Sequence, residues 1–78
     1  MEKINSNDLI IRKISELIPE APHDWAKIIA KKMGKTEVSI YAYARGERGL
    51  RRGYPLQLLK HLNELVIEKE QEIEKITA

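Results

Sequence analysis

The segment 26–46, AKIIAKKMGKTEVSIYAYARG, constrains the fold of this 78-residue chain more than any other stretch. A small residue, Ala30, is followed four positions later by Gly34, which suits two helices that cross closely on either side of a short turn. Apolar residues, Ile29 and Met33, stand directly before each of them. Two further apolar residues, Ile40 and Tyr43, follow three positions apart. The segment therefore predicts a helix, a turn of three or four residues and a second helix that share one core.

The first two helices are bounded by polar caps and by residues that break helices. Apolar residues at helical spacing predict a first helix over about 7–18, which ends because prolines lack an amide donor. Asp24 is expected to cap a second helix, and Gly34 to close it after Met33 in the left-handed conformation. The candidate caps of the first helix are Asn5, Ser6 and Asn7, and the prolines that follow it are Pro19 and Pro22.

A third helix is expected over Glu37–Arg45, with Thr36 as its cap. Its β-branched and aromatic residues suit a strand, but its alanines and the trailing Gly46 favour a helix. Residues 46–54 hold three of the four glycines and three arginines, which predicts an ordered but irregular loop. Pro55 then begins a fourth helix to about residue 76, either continuous or with a frayed fifth segment. Its expected core-facing residues are Leu56, Leu59, Leu62, Leu65 and Val66.

These elements predict an all-α fold, a single small helix-turn-helix domain over residues 1–78. The chain has no cysteine, which excludes disulfides and cysteine-ligated zinc, so apolar side chains must supply the stability. No apolar run reaches the roughly 18–20 residues that span a bilayer. The acidic residues Glu2 and Asp8 and the lack of a small-residue cleavage site argue against a signal peptide. The sequence therefore predicts a soluble, cytoplasmic protein that does not contact a membrane.

The positive charge is concentrated in the middle of the chain. Residues 23–60 contain nine lysines and arginines against three acidic residues, a net charge of +6. Residues 1–22 carry −1 and residues 61–78 carry −3, so the chain as a whole carries only +2. This distribution is typical of a protein that meets a polyanion with one face, although a generally solvated surface is the alternative.

The segment IAKKMGKTEVSIYAYARG resembles the DNA-binding helix-turn-helix of the lambda-repressor-like family, which includes phage repressors and Cro proteins. The resemblance covers residues 26–46; the flanking helices match in number and approximate position only. It implies that the third helix enters the major groove and reads base edges with its first residues and outer face. The base-reading positions that it implies are Thr36, Glu37, Val38, Tyr41, Ala42 and Arg45.

The chemistry of these residues suits base recognition. Arg45 can form a bidentate contact with guanine, Glu37 can accept from cytosine N4, and Val38 can touch a thymine methyl. The family often has glutamine where this chain has Glu37, so the operator stays open, and Glu37 can instead cap the helix or orient an arginine. Phosphate contacts, which supply register and affinity, are expected from Lys31, Lys32, Lys35, Arg48, Arg51 and Arg52. For the last two, pairing with Glu47 is the alternative.

The resemblance and the charge together predict a sequence-specific regulator that binds double-stranded DNA, a repressor of bacterial or phage type. Two alternatives are an architectural or RNA-binding accessory protein of a mobile element and a protein-interaction adaptor on the same fold. No enzyme motif is present, because His23 and His61 have no partners at ligand or triad spacing. No metal, cofactor or small-molecule ligand is expected.

A homodimer is expected because repressors of this type bind two half-sites one helical turn of DNA apart. The last helix offers a seam with 3-4 spacing that is interrupted by Lys69. The alternative is that its first half belongs to the core of the monomer and its end is exposed. The seam consists of Leu59, Leu62, Val66, Ile73 and Ile76.

Overall fold

The computed structural model describes residues 6–77, and within that range it holds four α-helices and no strand. They are α1 (Ser6–Leu17), α2 (Trp25–Met33), α3 (Glu37–Ala44) and α4 (Tyr54–Thr77), with a 3-10 turn over Ile18–Glu20 after α1. The expected small all-α fold is confirmed, and α4 is one continuous helix rather than two. The proposed cap Asn5 lies outside the described residues.

One core joins all four helices. Each helix places at least one completely buried aliphatic side chain in it, and the long helix α4 places two. Each such side chain contributes roughly 1.5–3 kcal/mol relative to an exposed one. The helix α1 packs mainly on α4, while α2 and α3 pack on each other and on α4. The five residues are Ile14, Ile29, Ile40, Leu58 and Leu62.

The helix α4 buries a different face at its start from the one expected. Leu56 is 42% exposed, whereas Leu58, which the expected stripe omitted, is completely buried. The helix begins at Tyr54, one residue earlier than predicted, and Pro55 in its first turn is buried. The buried positions then follow the i, i+3, i+7, i+10 and i+11 spacing of one helical face. They are Pro55, Leu58, Leu62, Leu65 and Val66.

The turn between α2 and α3 has backbone hydrogen bonds that define its shape. Gly34 has a left-handed conformation with φ of 66°, as predicted. The amide of Lys35 donates to the carbonyl of Ala30 over 2.9 Å, and that of Gly34 donates to Lys31 over 3.4 Å, a Schellman ending. These bonds satisfy carbonyls at the end of α2 and direct the chain into α3 three residues later.

The predicted capping residues of α2 and α3 behave differently. The Thr36 hydroxyl accepts a hydrogen bond of 3.1 Å from the amide of Ser39, so the capping of α3 is confirmed. Asp24 occupies the corresponding position before α2, but its side chain makes no capping hydrogen bond. Its φ of −97° and ψ of 27° differ from the extended conformation that allows a cap side chain to reach back to the helix. The prediction of a capping role for Asp24 was therefore wrong.

The loop at 46–54 is irregular, as predicted, and backbone hydrogen bonds hold both of its ends. The helix α3 ends at Ala44, one residue before the expected limit, and Gly46 follows with a left-handed φ of 75°. The amides of Gly46 and Glu47 return to carbonyls of α3, and the amide of Tyr54 donates to Gly49 over 3.1 Å. The loop therefore connects α3 to α4 by a short hydrogen-bonded path.

Candidate nucleic-acid interface

The outer face of α3 lies outside the core. Glu37, Tyr41 and Arg45 are four residues apart, so they lie on one side of the helix, and all three are exposed. Val38 beside them is 68% exposed. Thr36 is exposed at the start of the helix. Five of the six predicted base-reading residues therefore lie on the surface.

Ala42 is the exception, and its predicted contact with a base is wrong for this fold. It is only 2% exposed, so its methyl group is covered by the protein. The next two residues, Tyr43 and Ala44, are also buried, and together with Ile40 they face the core. The expectation failed because α3 has almost no apolar and polar segregation along its sequence, so its faces could not be assigned from composition.

Tyr41 is held by an aromatic contact. Its ring meets that of Trp25 edge to face, with the centroids 5.4 Å apart and the planes at 76°. This geometry is the favoured one for aromatic pairs. Trp25 is buried at the start of α2, so it anchors an exposed ring of α3 to the rigid part of the domain.

Arg45 is engaged in a two-point ion pair. Its Nε donates to Oε1 of Glu47 over 3.0 Å, and its Nη2 donates to Oε2 over 3.2 Å. The hydrogen bond and the charge of Glu47 raise the pKa of Arg45, and the same pair lowers the pKa of Glu47. The alternative pairing of Glu47 with Arg51 and Arg52 is therefore not the one that forms. Both groups are exposed, so the pair is easily broken.

The predicted phosphate-contacting residues fall into two groups. Lys31 and Lys32 are exposed in the last turn of α2. Lys35 and the three loop arginines line an open cleft of about 570 Å³ between the α2–α3 turn and the loop at 46–54. The structure therefore brings together, from two separate elements, the residues Lys35, Arg48, Arg51 and Arg52.

Two tyrosines form a wall of this cleft: Tyr43, which was predicted and is confirmed as a core residue, and Tyr54, for which the sequence predicted no role. The rings of Tyr43 and Tyr54 are tilted by 38° with centroids 5.1 Å apart. The Nζ of Lys35 donates to the Tyr54 hydroxyl over 3.4 Å and lies 4.6 Å from the ring centroid. Hydrogen bonds from Arg52 and then Lys35 lower the pKa of Tyr54. For Tyr54, the only feature of the sequence that could have indicated a site is its position between the glycine- and arginine-rich loop and the start of a helix.

Neither a metal-binding group nor a membrane-spanning helix is found among residues 6–77. No group of three or more His, Cys, Asp or Glu residues in that range is arranged to hold a metal ion. No helix in the same range is both long enough and apolar enough to cross a membrane.

The fold defines this chain as a small all-α domain whose second and third helices are joined by a three-residue turn. Comparison with protein-family models, curated proteins and solved structures finds no match. The resemblance of residues 26–46 to the lambda-repressor-like family therefore stays a prediction.

Proposed function

We propose that this chain is a sequence-specific regulator that binds double-stranded DNA and places α3 in the major groove. The observation that carries the proposal is the exposed outer face of α3, which has exposed cations before it in α2 and after it in the 46–54 loop. An α-helix fits the major groove, where side chains of its first turns reach base edges. Cations on both sides are the groups needed to contact the flanking phosphates.

The residues of α3 supply different kinds of base contact. Val38 offers an exposed apolar surface to a thymine methyl, and Arg45 offers a guanidinium fork to guanine. Glu37 forms no ion pair with any of the described residues, and its carboxylate can accept hydrogen bonds, which suits cytosine N4. The restraint of Tyr41 by Trp25 limits the conformational entropy that this face loses on binding.

Phosphate contacts are assigned to the exposed lysines at the end of α2 and to the four cations of the cleft. If about five of these charges neutralise phosphates, log K against log salt falls with a slope of roughly −4 to −5 per subunit. A protein with few phosphate contacts would show a much shallower slope. The measured slope therefore counts the contacts independently of any base specificity.

The test is selection from random duplex DNA, followed by titration of the enriched duplex at several salt concentrations. The variants are Arg45→Ala and, as a matched control, Lys60→Ala, which removes a cation from a different groove of the protein beside Lys13 and Asn63. We expect Arg45→Ala to lower the affinity for the selected site by roughly tenfold or more, relative to its effect on the affinity for unrelated DNA. Lys60→Ala should retain both affinity and specificity.

Other outcomes would favour the alternative functions. Binding without an enriched sequence, or preference for RNA, would indicate an architectural or RNA-binding accessory protein. A protein complex that ignores salt, with no affinity for DNA at low salt, would indicate an adaptor. Repression follows from the proposal if the selected site overlaps a promoter, because a bound domain excludes other proteins from the same groove.

We also propose that the protein acts as a homodimer through the far end of α4. The structure places Leu62 and Val66 in the core of the monomer, so the first half of the predicted seam is not available to a partner. Ile73 and Ile76, in contrast, are 51% and 83% exposed. These two residues support an interface confined to the last turns of α4.

A further inference from the structure

The cleft between the α2–α3 turn and the 46–54 loop contains an excess of positive charge. Its lining includes four cations and one carboxylate, that of Glu47. Both oxygens of this carboxylate are hydrogen-bonded to Arg45, which does not line the cleft. The cleft therefore attracts anions while its only acidic group is already paired elsewhere.

Two of the cations act on an uncharged oxygen. Lys35 from the α2–α3 turn donates to the hydroxyl of Tyr54 over 3.4 Å, and Arg52 from the loop lies in the same lining and lowers the pKa of that hydroxyl. A phenol oxygen is a weaker partner for a cation than an anionic oxygen is, because an anionic oxygen adds the attraction of opposite charges to the hydrogen bond. A ligand with several anionic oxygens would bind both cations and also accept from the Tyr54 hydroxyl.

The floor of the cleft is closely packed around Gly49. Gly49 has a left-handed φ of 77°, and a Cβ atom there would lie 2.9 Å from Tyr54 and 3.0 Å from Tyr43. Its carbonyl accepts from the amides of Arg52 and Tyr54, which closes the loop over the two rings. The loop therefore holds its arginines near the cleft before any ligand arrives, and this lowers the entropy lost on binding.

We propose that this cleft binds the phosphate group of a free phosphate monoester, such as a nucleoside monophosphate. A phosphate dianion presents three terminal oxygens, which match a lysine, a guanidinium fork and a phenol better than a single carboxylate does. The exposed apolar side chain of Leu50 and the Tyr54 ring lie in the same lining and can contact the organic part. A volume of about 570 Å³ is sufficient for a ligand of this size.

The proposal departs from the sequence expectation that no small molecule binds. Its regulatory consequence rests on the proposed function, because the same four cations are assigned to DNA phosphates. A phosphate monoester in the cleft would then compete with DNA. The backbone of DNA is the other source of the same chemical group, so the experiment must separate the two.

The experiment is a titration of the ¹⁵N-labelled full chain followed by amide shifts, with adenosine 5′-monophosphate, inorganic phosphate and adenosine as separate probes. We expect saturable shifts at Gly49, Leu50 and Gly53 with the monophosphate, weaker ones with phosphate and none with adenosine. Tyr54→Phe, which keeps the ring but removes the hydroxyl, should lower the affinity for the monophosphate by about three- to tenfold. Lys35→Gln serves as a second variant if Tyr54→Phe perturbs the fold, and Lys60→Gln is the matched control.

Each outcome decides between the two proposals. Equal shifts with adenosine and its monophosphate, or no effect of both cleft variants, would overturn the phosphate site. Affinity for duplex DNA without binding of either phosphate probe would also overturn it and leave DNA binding intact. Monophosphate binding in a chain that has no affinity for DNA would support the site and remove the proposed function.

Discussion

Glu47 restrains the residue that we assign to guanine recognition. Its carboxylate holds the guanidinium of Arg45 by two hydrogen bonds and places a negative charge beside the proposed DNA surface. We expect Glu47→Gln to bind DNA more tightly at low salt, because repulsion from phosphates is removed and Arg45 is released. The same substitution should reduce discrimination between sequences if Glu47 orients Arg45. Titration of selected and unrelated duplexes measures both effects.

The matched control is Glu64→Gln, which removes an exposed acidic residue from α4 with the same change of charge. Equal effects of the two substitutions would mean that only net charge matters and that Glu47 has no specific role. The pH dependence has a definite sign, because the pKa of Glu47 is lowered by Arg45. The pair is complete above the ordinary pKa of a glutamate and is lost only as pH falls through the lowered value.

Gly49 and Gly53 offer a matched pair of substitutions within one loop. Both have left-handed backbones, with φ of 77° and 72°, so alanine costs roughly 1–2 kcal/mol of stability at either position. At Gly49 the added Cβ also meets Tyr54 and Tyr43 at 3.0 Å or less, whereas at Gly53 nothing lies within 4 Å. We therefore expect Gly49→Ala to lower the free energy of unfolding by more than Gly53→Ala. Equal losses in urea denaturation would show that the rings move aside without cost.

At the scale of the helix, the two caps of the helix-turn-helix unit give a second matched comparison. Thr36 accepts a hydrogen bond from the Ser39 amide, and Asp24 makes no such bond. We expect Thr36→Ala to cost about 1 kcal/mol of unfolding free energy. Asp24→Ala should cost only a few tenths, from the lost interaction of its charge with the helix dipole. A larger loss for Asp24→Ala would mean that its carboxylate caps α2 in solution.

The limits of α2 and α3 were predictable because local chemistry sets them. Gly34 closes one helix and Thr36 begins the next within three residues, and neither depends on distant contacts. Local chemistry does not determine which residues of α3, or of the first turns of α4, are buried. Leu56 and Leu58 have equal hydrophobicity, so only packing against the other helices decides which one is buried.

The sequence predicted the general position of the candidate interface, but not which of its residues are buried or paired. The surrounding cations follow from the charge distribution in the sequence, and the exposed positions of α3 were implied by the family resemblance rather than by periodicity. The burial of Ala42 depends on how α3 rotates against the core, and the pairing of Arg45 with Glu47 depends on the turn after α3. The convergence of Lys35 and Tyr54 joins residues 19 positions apart, so no local pattern indicated it.

At the scale of the whole molecule, α4 extends beyond the part that it helps to bury. The described residues measure 46 × 33 × 15 Å along the principal axes. The last buried residue of α4 is Val66, and the helix continues to Thr77. These further 11 residues add about 16 Å of helix at 1.5 Å per residue. A solvated helical segment of this length is marginally stable in water, so a partner that covers Ile73 and Ile76 would stabilise it.

Truncation after Glu68 tests this interface, because it removes Ile73 and Ile76 and retains every buried residue of α4. We expect light scattering after gel filtration to report a dimer for the full chain and a monomer for the truncated one. The thermal transition of the truncated chain should persist, since its core is intact. Its affinity for a palindromic site should fall because the two half-sites are then bound independently.

A pair of point variants separates loss of the interface from loss of helix. Ile73→Lys places a charge on the proposed contact, whereas Ile67→Lys makes the same change at another exposed position of α4. At 100° per residue the two side chains are about 120° apart around the helix. A dimer through Ile73 and Ile76 predicts that only Ile73→Lys yields a monomer. Dissociation by both variants would indicate general destabilisation of α4, and an unchanged mass for both would place any dimer contact elsewhere on the molecule.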